Sequence, residues 1–229
     1  MSSDDRDSSI RARRDPYLIP GTDVLKNKLG LRNATELGRA ERLLTADRLV
    51  ELAREPVVGG FDLAHLQRIH RAIFQDVYEW AGDLREIDIA KGAIRFASTA
   101  HLESSAADIF RQLERDNQLQ GLPKREFATA AAECLASVNA LHPFREGNGR
   151  AQREFFRELA ARAGFHLDWS RTNAKDIVQA SIAGMVGDMK PLRRVLSRVT
   201  LENAGDGLES SRRSREDDRR PLRGPERDR

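Results

Sequence analysis

One run of twelve residues, from His142 to Arg153, constrains the fold more than any other part of this 229-residue chain. It reads His-Pro-Phe-Arg-Glu-Gly-Asn-Gly-Arg-Ala-Gln-Arg, and Pro143 disfavours the helical conformation at the histidine before it. The helix that precedes the run should therefore end at about His142. The next helix should begin near Arg150 and end at Gly164. The run thus predicts a helix–loop–helix unit that carries its polar residues in the loop.

The residue types in this loop suit the binding of a polyphosphate next to a base. His142 has the side chain whose ordinary pKa lies nearest neutrality, so it can take a proton from a hydroxyl group. Glu146 offers a carboxylate, the usual protein ligand for Mg²⁺ beside phosphates. The backbone of Gly147-Asn148-Gly149 can bind an anion at a helix N-terminus, where Arg150 and Arg153 share one face.

Each of these features also has a plain structural explanation. A histidine can cap a helix, Gly-Asn-Gly can be a simple turn, and arginines can form a solvated helix face. Their agreement within one short window favours a functional site. A transition-metal site on His142 and Glu146 is a further alternative, but Pro143 and the glycines disrupt the i,i+4 helical geometry that such a pair would use.

The run resembles, at every specified position, the motif of the Fic (filamentation induced by cAMP) family, His-x-Phe-x-(Asp/Glu)-Gly-Asn-Gly-Arg-x-x-Arg. This resemblance implies a mainly α fold, a helical bundle with one β-hairpin flap. It implies a protein adenylyltransferase, which moves AMP from ATP to a Tyr, Thr or Ser hydroxyl of a target protein and uses Mg²⁺.

The resemblance also assigns roles within the run. It makes His142 the catalytic general base, Phe144 the anchor in the core and Glu146 the Mg²⁺ ligand. The two arginines would bind the β- and γ-phosphates. The nucleotide-binding residues that it implies in the run are Gly147, Asn148, Gly149, Arg150 and Arg153.

Two other functions are consistent with this resemblance. Some transferases of this type move UMP, phosphocholine or phosphate, and a catalytically silent binding module could use the same groove. The intact Gly147-Asn148-Gly149 turn favours AMP over phosphate, because the kinase-like variant of the family has an altered turn. The complete motif argues against a silent module.

The clearest β pattern lies between Arg85 and Ala97. Arg85–Ile89 alternates, Lys91-Gly92 can turn and Ile94–Ala97 can return, which predicts a hairpin. Without the resemblance, the hairpin would be explained as a cover over the core. With it, the hairpin is a flap that docks a target segment as an added strand, with Lys91 and Gly92 nearest the nucleotide. The target-docking residues would be Ile87, Asp88, Ile89, Ile94 and Phe96.

Apolar residues at helical spacing predict the remaining helices. They are Thr22–Leu29, Asn33 or Thr35 to Pro56, Asp62 to about Tyr78, Ser98 or Thr99 to Gly121, Lys124–Leu141, Thr172 or Asn173 to about Met185, and Pro191 to about Leu201. Residues 165–169 are predicted as a connection, and His65 and His70 as ordinary helix histidines. The expected domain covers residues 15–201 and includes an N-terminal lead-in segment, with disordered tails at 1–14 and 202–229.

Composition excludes several other classes of protein. A single cysteine cannot form an internal disulfide framework, and no run of about 18 apolar residues is present for a membrane span. A net charge of +3 without a basic groove interleaved with aromatic residues gives no reason to expect nucleic acid as a partner. We expect a bacterial cytoplasmic protein, with secretion into a host cell left open.

An inhibitory motif known in the family, (Ser/Thr)-x-x-x-Glu-(Gly/Asn), has no match in the chain. Residues 197–203 contain one residue too many before Glu202, and Thr129–Glu133 is followed by Cys134. The resemblance therefore points to members whose inhibitory helix is supplied by a small antitoxin, with a glutamate that pairs with Arg153. The chain would then be a toxin or effector. A C-terminal inhibitory helix near Glu202 is the alternative.

Overall fold

The computed structural model describes residues 15–92 and 94–203, which form seven α-helices and two small antiparallel sheets. The helices are α1 (Ala34–Arg54), α2 (Leu63–Phe74), α3 (Leu102–Arg115), α4 (Lys124–Leu141), α5 (Asn148–Arg162), α6 (Ala174–Met185) and α7 (Lys190–Val199). The strands are β1 (Ala90–Lys91), β2 (Ile94–Arg95), β3 (Phe165–Leu167) and β4 (Thr200–Glu202). The predicted mainly helical fold is confirmed. The predicted tails, apart from Glu202 and Asn203, lie outside the described residues.

Polar side chains start several helices where the sequence predicts them. Asn33 accepts hydrogen bonds from the N–H groups of the first turn of α1, and Asp62 accepts one from His65 at 2.7 Å. Asn173 caps α6 in the same way. At its other end, α1 stops just before Pro56, which cannot continue a helix.

The core is arranged around α4. This helix packs against α3, α5, α6 and α7, while α2 packs between α1 and α5. Phe127, Ala131 and Val138 of α4 are fully buried, as are Phe155 and Leu159 of α5. The loop between α4 and α5 therefore lies at the edge of a rigid core, and this loop carries the motif.

The prediction of a short helix at Thr22–Leu29 is wrong. The Ile19 N–H donates to the Val24 carbonyl at 2.8 Å, and the Thr22 hydroxyl donates to the Ile19 carbonyl at 2.8 Å. These bonds fold the segment into turns with an isolated antiparallel bridge. The threonine thus closes a local turn and does not cap a helix. Helix α2 also ends earlier than predicted, at Phe74.

The hairpin is shorter than predicted and begins later in the chain. Arg85–Ile89 is not a strand; β1 pairs with β2 through Ala90 opposite Arg95 and Lys91 opposite Ile94. The earlier segment has other partners. The Arg85 N–H donates to the Pro143 carbonyl at 2.9 Å, and the Asp88 carboxylate accepts from the Thr99 N–H at 2.7 Å. These contacts hold residues 85–89 against the motif loop and the start of α3.

The connection predicted at residues 165–169 contains a strand. β3 pairs with β4, with Phe165 opposite Glu202 and Leu167 opposite Thr200. The last helix consequently ends at Val199, where the Thr200 hydroxyl donates to the Leu196 carbonyl at 2.6 Å. Glu202 lies in a strand, so the described residues contain no inhibitory helix around it. None of the described helices is both long and apolar enough to cross a membrane.

Candidate active site

Helix α4 ends at His142, which turns the chain out of the helix. Its backbone is left-handed, with φ 46° and ψ 62°, an uncommon conformation for a residue other than glycine. The His142 N–H still donates to the Val138 carbonyl at 3.1 Å. Phe144, two residues later, is fully buried. The helix thus ends next to Pro143 as predicted, and Phe144 fixes the loop to the core.

The imidazole of His142 is partly buried against the hairpin. Its ring stacks on Phe96, with 3.8 Å between the ring centroids. Nδ1 lies 3.3 Å from the Asn139 carbonyl, which can only accept, so Nδ1 carries the proton of the neutral ring and Nε2 has the lone pair. Burial lowers the pKa of His142 to about 4, and the charges of Arg85 and Lys91 act in the same direction. The ring is therefore neutral near pH 7.

The turn that follows requires its first glycine. Gly147 has φ 81°, and a Cβ atom at this position would lie 2.2 Å from Cζ of Phe74. The side chain of Asn148 closes the turn, because it accepts from the Phe144 N–H at 2.9 Å and donates to the Phe144 carbonyl at 2.7 Å. Asn148 is only 3% exposed. The left-handed backbone of Gly147 and the hydrogen bonds of Asn148 thus both fix the turn.

This turn leaves donors available at the start of α5. The N–H groups of Arg150 and Ala151 both donate to the Gly147 carbonyl. Those of Asn148 and Gly149 have no partner among the described residues, as expected for the first residues of a helix. Both residues line a large cavity. The helix N-terminus therefore offers an anion two free backbone donors and the positive end of its dipole.

The back of the motif loop is held by His70 of α2. Its Nδ1 accepts from the Gly82 N–H at 2.9 Å, so Nε2 carries the proton and donates to the Glu146 carbonyl at 2.9 Å. The ring stacks on Phe144 at 3.9 Å. Burial lowers the pKa of His70 to about 4. A residue predicted as an ordinary helix histidine thus supports the candidate site from behind.

The guanidinium of Arg153 lies at the cavity wall. Among the described residues, no carboxylate lies within salt-bridge distance of its guanidinium, whose pKa is lowered by burial and by the charge of Arg150. Its Nη1 would lie 3.4 Å from a Cβ atom added to Gly149, so the guanidinium is next to the free donors of the turn. A partly buried cation of this kind favours an incoming anion.

Arg150 is in a different environment. Its Nη2 lies 2.5 Å from Oε1 of Glu41 and its Nη1 donates to the Thr45 hydroxyl at 3.0 Å; both partners belong to α1. The guanidinium also lies 4.6 Å from the ring centre of Phe74. Arg150 is not among the residues that line the cavity. The structure thus brings Arg153, but not Arg150, to the cavity.

Arg85 connects the motif loop with the hairpin. Its side chain is fully buried and donates to the carbonyls of His142 at 2.9 Å and Ile87 at 2.8 Å. It also donates to the carbonyls of Ala97 and Leu141. Burial lowers the pKa of this guanidinium. One cation therefore holds both ends of the hairpin and the residue before Pro143.

The cavity lies between the motif loop, the hairpin and α6, and it has a volume of about 1490 Å³. The structure places at its wall all the remaining predicted site residues. These are Ile87, Asp88, Ile89, Lys91, Gly92, Ile94, Phe96, His142, Glu146, Gly147, Asn148, Gly149 and Arg153. Five residues of α6, which the sequence did not single out, form the far wall: Ile177, Val178, Ser181, Ile182 and Met185.

Glu146 is the carboxylate at this cavity that could hold a metal ion. Its side chain is 47% exposed, and Oε1 accepts from the Gly147 N–H at 2.9 Å. Among the described residues, no group of three His, Cys, Asp or Glu side chains could bind a metal without other ligands. Mg²⁺ commonly takes one or two carboxylates and completes its shell with phosphate oxygens and water. Asp15 and Asp88 also line the cavity, but they pair with Arg145 and Thr99. Glu146, next to the free donors of the turn, is therefore the carboxylate that fits this requirement.

Sequence reasoning missed the supporting residues His70, Arg85 and Glu41. A partial signal was present for two of them. His70 follows Ile69 on the apolar face of α2, and Glu41 lies four residues after the buried Leu37. A polar residue on the core face of a helix indicates a buried partner, but the sequence does not identify that partner.

Comparison with known proteins gives one consistent result. The model of the Fic/DOC family matches residues 60–160. The protein adenylyltransferase VbhT of Bartonella schoenbuchensis is 42% identical over 188 residues, which is 82% of this chain but 39% of VbhT. The probable protein adenylyltransferase Fic of Escherichia coli is 40% identical over 189 residues, 82% of this chain and 94% of that protein.

A solved structure supports the same relationship. BepC, a VirB-translocated effector protein of Bartonella tribocorum crystallised with bound AMPPNP, matches with a TM-score of 0.79 at 29% identity. The match covers 82% of this chain and 97% of that chain. The similarity therefore extends over most of the described fold and is not limited to the motif.

Proposed function

This chain belongs to the Fic/DOC family, and from that premise we propose that it is a protein adenylyltransferase that transfers AMP from ATP to a Tyr, Thr or Ser hydroxyl of a target protein. One observation carries the proposal. His142, a neutral histidine, lies in the same cavity as two backbone donors and the Arg153 guanidinium, and none of Nε2, these donors and the guanidinium has a partner among residues 15–92 and 94–203. This set contains a base for a hydroxyl nucleophile and ligands for a polyphosphate.

In the proposed reaction, Nε2 of His142 takes the proton of the target hydroxyl. The hydroxyl oxygen forms a bond to the α-phosphorus of ATP, and the bond from that phosphorus to the bridging oxygen of pyrophosphate breaks. Pyrophosphate leaves with the bonding electrons. The N–H groups of Asn148 and Gly149 and the guanidinium of Arg153 stabilise the negative charge on the phosphates.

Glu146 would hold a Mg²⁺ ion on the phosphates. When bound, such an ion offsets negative charge on the phosphate oxygens and favours the departure of pyrophosphate. The protein contribution is the position of the carboxylate, because the Glu146 carbonyl is held by His70 and Oε1 by the Gly147 N–H.

The hairpin would dock the target. β1 and β2 form a sheet of only two strands, so each has an edge to which an extended segment can bind. The proposed docking residues are Ile87, Asp88, Ile89, Ile94 and Phe96, with Lys91 and Gly92 nearest the nucleotide. Phe96 also stacks on His142, so the proposed docking edge lies beside the proposed base.

The cavity is large enough for two ligands. Its volume exceeds the ~300–1,000 Å³ of a single small-molecule pocket, which leaves room for the nucleotide and a target side chain.

A small antitoxin would restrain this activity in the bacterial cytoplasm. We place its inhibitory glutamate opposite Arg153, which has no carboxylate partner among residues 15–92 and 94–203. If the partner exists, changing that glutamate to alanine should release AMP transfer while the complex persists. Unchanged inhibition by the altered partner would contradict this assignment.

Labelled ATP tests the proposed reaction. The full chain is incubated with lysate and either α-³²P-ATP or γ-³²P-ATP. Label on protein from the α position alone, and lost in His142→Ala, supports AMP transfer. Label from γ-³²P-ATP alone would show phosphate transfer. Label from neither, with no protein modified by UTP or CDP-choline, would indicate a silent binding module.

A further inference from the structure

Arg150 has its guanidinium outside the cavity, although the motif places it next to Arg153. Its partners come from α1 and α2: the Glu41 carboxylate at 2.5 Å, the Thr45 hydroxyl at 3.0 Å and the face of Phe74 at 4.6 Å. These contacts hold the planar guanidinium on both an edge and a face. Arg150 is therefore not placed as a ligand for phosphate.

The Glu41 carboxylate holds Arg150 in this position. Glu41 is 8% exposed, and its other oxygen accepts from the Tyr78 hydroxyl. Burial and the adjacent carboxylate raise the pKa of Tyr78, so the hydroxyl remains a donor. If Arg150 moved to a phosphate, it would leave a buried carboxylate with only a neutral partner among the described residues. The ion pair between Arg150 and Glu41 therefore keeps Arg150 beside α1.

The nitrogen that contacts Glu41 also lies near Glu146. Nη2 of Arg150 is 3.9 Å from Oε1 of Glu146, which lies four residues earlier in the chain, in the loop before α5. The same oxygen accepts from the Gly147 N–H. Oε1 thus has positive charge and a donor next to it, whereas Oε2 has no hydrogen-bond or ion-pair partner among the described residues. This arrangement selects one orientation of the carboxylate.

We propose that Arg150 is a positioning residue: held by Glu41 and Tyr78, it orients the Glu146 carboxylate for the divalent cation and leaves phosphate binding to Arg153. The inference rests on the proposed function, because it requires a nucleotide and its metal ion in this cavity. It separates two arginines of the motif into different roles. It also makes α1, which contributes nothing to the cavity wall, part of the metal-binding apparatus.

Binding of the ATP analogue AMPPNP, measured by isothermal titration with and without Mg²⁺, separates the two roles. For Arg150→Lys and Glu41→Gln, the AMPPNP affinity in EDTA should change less than about twofold, while the Mg²⁺ concentration for half-maximal enhancement rises about 10- to 100-fold. For Arg153→Ala, the AMPPNP affinity in EDTA should fall about tenfold or more, with the Mg²⁺ requirement unchanged.

Arg48→Lys is the matched control, because Arg48 lies on α1, as Glu41 does, and pairs with Asp76 away from the cavity. This variant should keep both the AMPPNP affinity in EDTA and the Mg²⁺ requirement of the wild type. Glu41→Gln provides the same test if Arg150→Lys does not fold. If Arg150→Lys loses as much AMPPNP affinity in EDTA as Arg153→Ala does, the inference about Arg150 is wrong but the proposed function stands. If the wild-type chain binds AMPPNP neither in EDTA nor with Mg²⁺, the proposed function is wrong as well.

Discussion

The motif loop (residues 142–149) and the flap (residues 85–97) face the same cavity, but the protein holds them in different ways. The loop is fixed from behind by buried side chains: Phe144 in the core, Asn148 across the turn and His70 on the Glu146 carbonyl. The flap has only two paired residues in each strand, and its tip is exposed. Its support is concentrated where it leaves and rejoins the body of the protein.

This difference corresponds to the two proposed tasks. Proton transfer and AMP transfer require that the reacting atoms are held to within a fraction of an ångström. Strand addition requires an accessible backbone edge and tolerates adjustment of the segment. We therefore expect substitutions in the loop to affect chemistry and stability strongly, and substitutions at the flap tip to affect them weakly.

The largest effect is expected at His142. Replacement by Asn keeps a residue that tolerates the left-handed backbone but removes the base, so kcat/KM for AMP transfer should fall about 10²- to 10⁴-fold. The melting temperature and ADP binding should remain close to those of the wild type. Incorporation of α-³²P into protein measures the rate. A variant with more than half of the wild-type rate would show that the base lies elsewhere.

A matched pair of glycines compares the stability of the two regions. Gly147→Ala places a methyl group against Phe74 in a left-handed turn, and we expect a loss of about 3 kcal/mol in unfolding free energy. Gly92, at the flap tip, also has positive φ but nothing within 4 Å of its Cβ position. Gly92→Ala should cost only about 1 kcal/mol. Urea unfolding of both variants makes the comparison, and equal losses would contradict it.

Arg85 is the point where the two regions are coupled, so its replacement should affect both. Arg85→Lys keeps the charge but cannot reach four carbonyls, and kcat should fall about 10- to 100-fold because His142 is no longer held in place. Proteolytic cleavage within the flap should become faster. Arg71→Lys is the control, because the exposed Arg71 side chain pairs with Asp83 and does not line the cavity. Faster cleavage with an unchanged kcat would show that the flap is supported separately from the histidine.

The two buried histidines also make stability depend on pH. His142 and His70 have pKa values lowered from 6.5 to about 4 in the folded protein, so the unfolded chain binds more protons between these values. The free energy of unfolding should therefore decrease as pH falls from 7 towards 4. His142→Asn should flatten this decrease. Thermal unfolding at pH 7, 6 and 5 provides the measurement.

Local signals in the sequence were sufficient for α4, α5 and the loop between them. Pro143 determines where α4 ends, and Gly147 can be read as a turn residue without knowledge of the rest of the fold. The supporting residues could not be assigned, because Glu41, His70 and Arg85 find their partners on elements distant in the chain. The pairing of β3 with β4 joins Leu167 and Thr200 and has no local pattern. The hairpin was recognised but misplaced, since alternation at residues 85–89 does not reveal that Arg85 is drawn inward.

The hydrogen bonds of Arg85 have a consequence for how such a protein could be retargeted. All four of its carbonyl acceptors, on His142, Ile87, Ala97 and Leu141, belong to the main chain. The side chains at positions 87, 89 and 94 take no part in that anchorage. They can be exchanged without removing the support of His142. Libraries that vary these positions are therefore a practical route to transferases with new protein targets and an unaltered reaction.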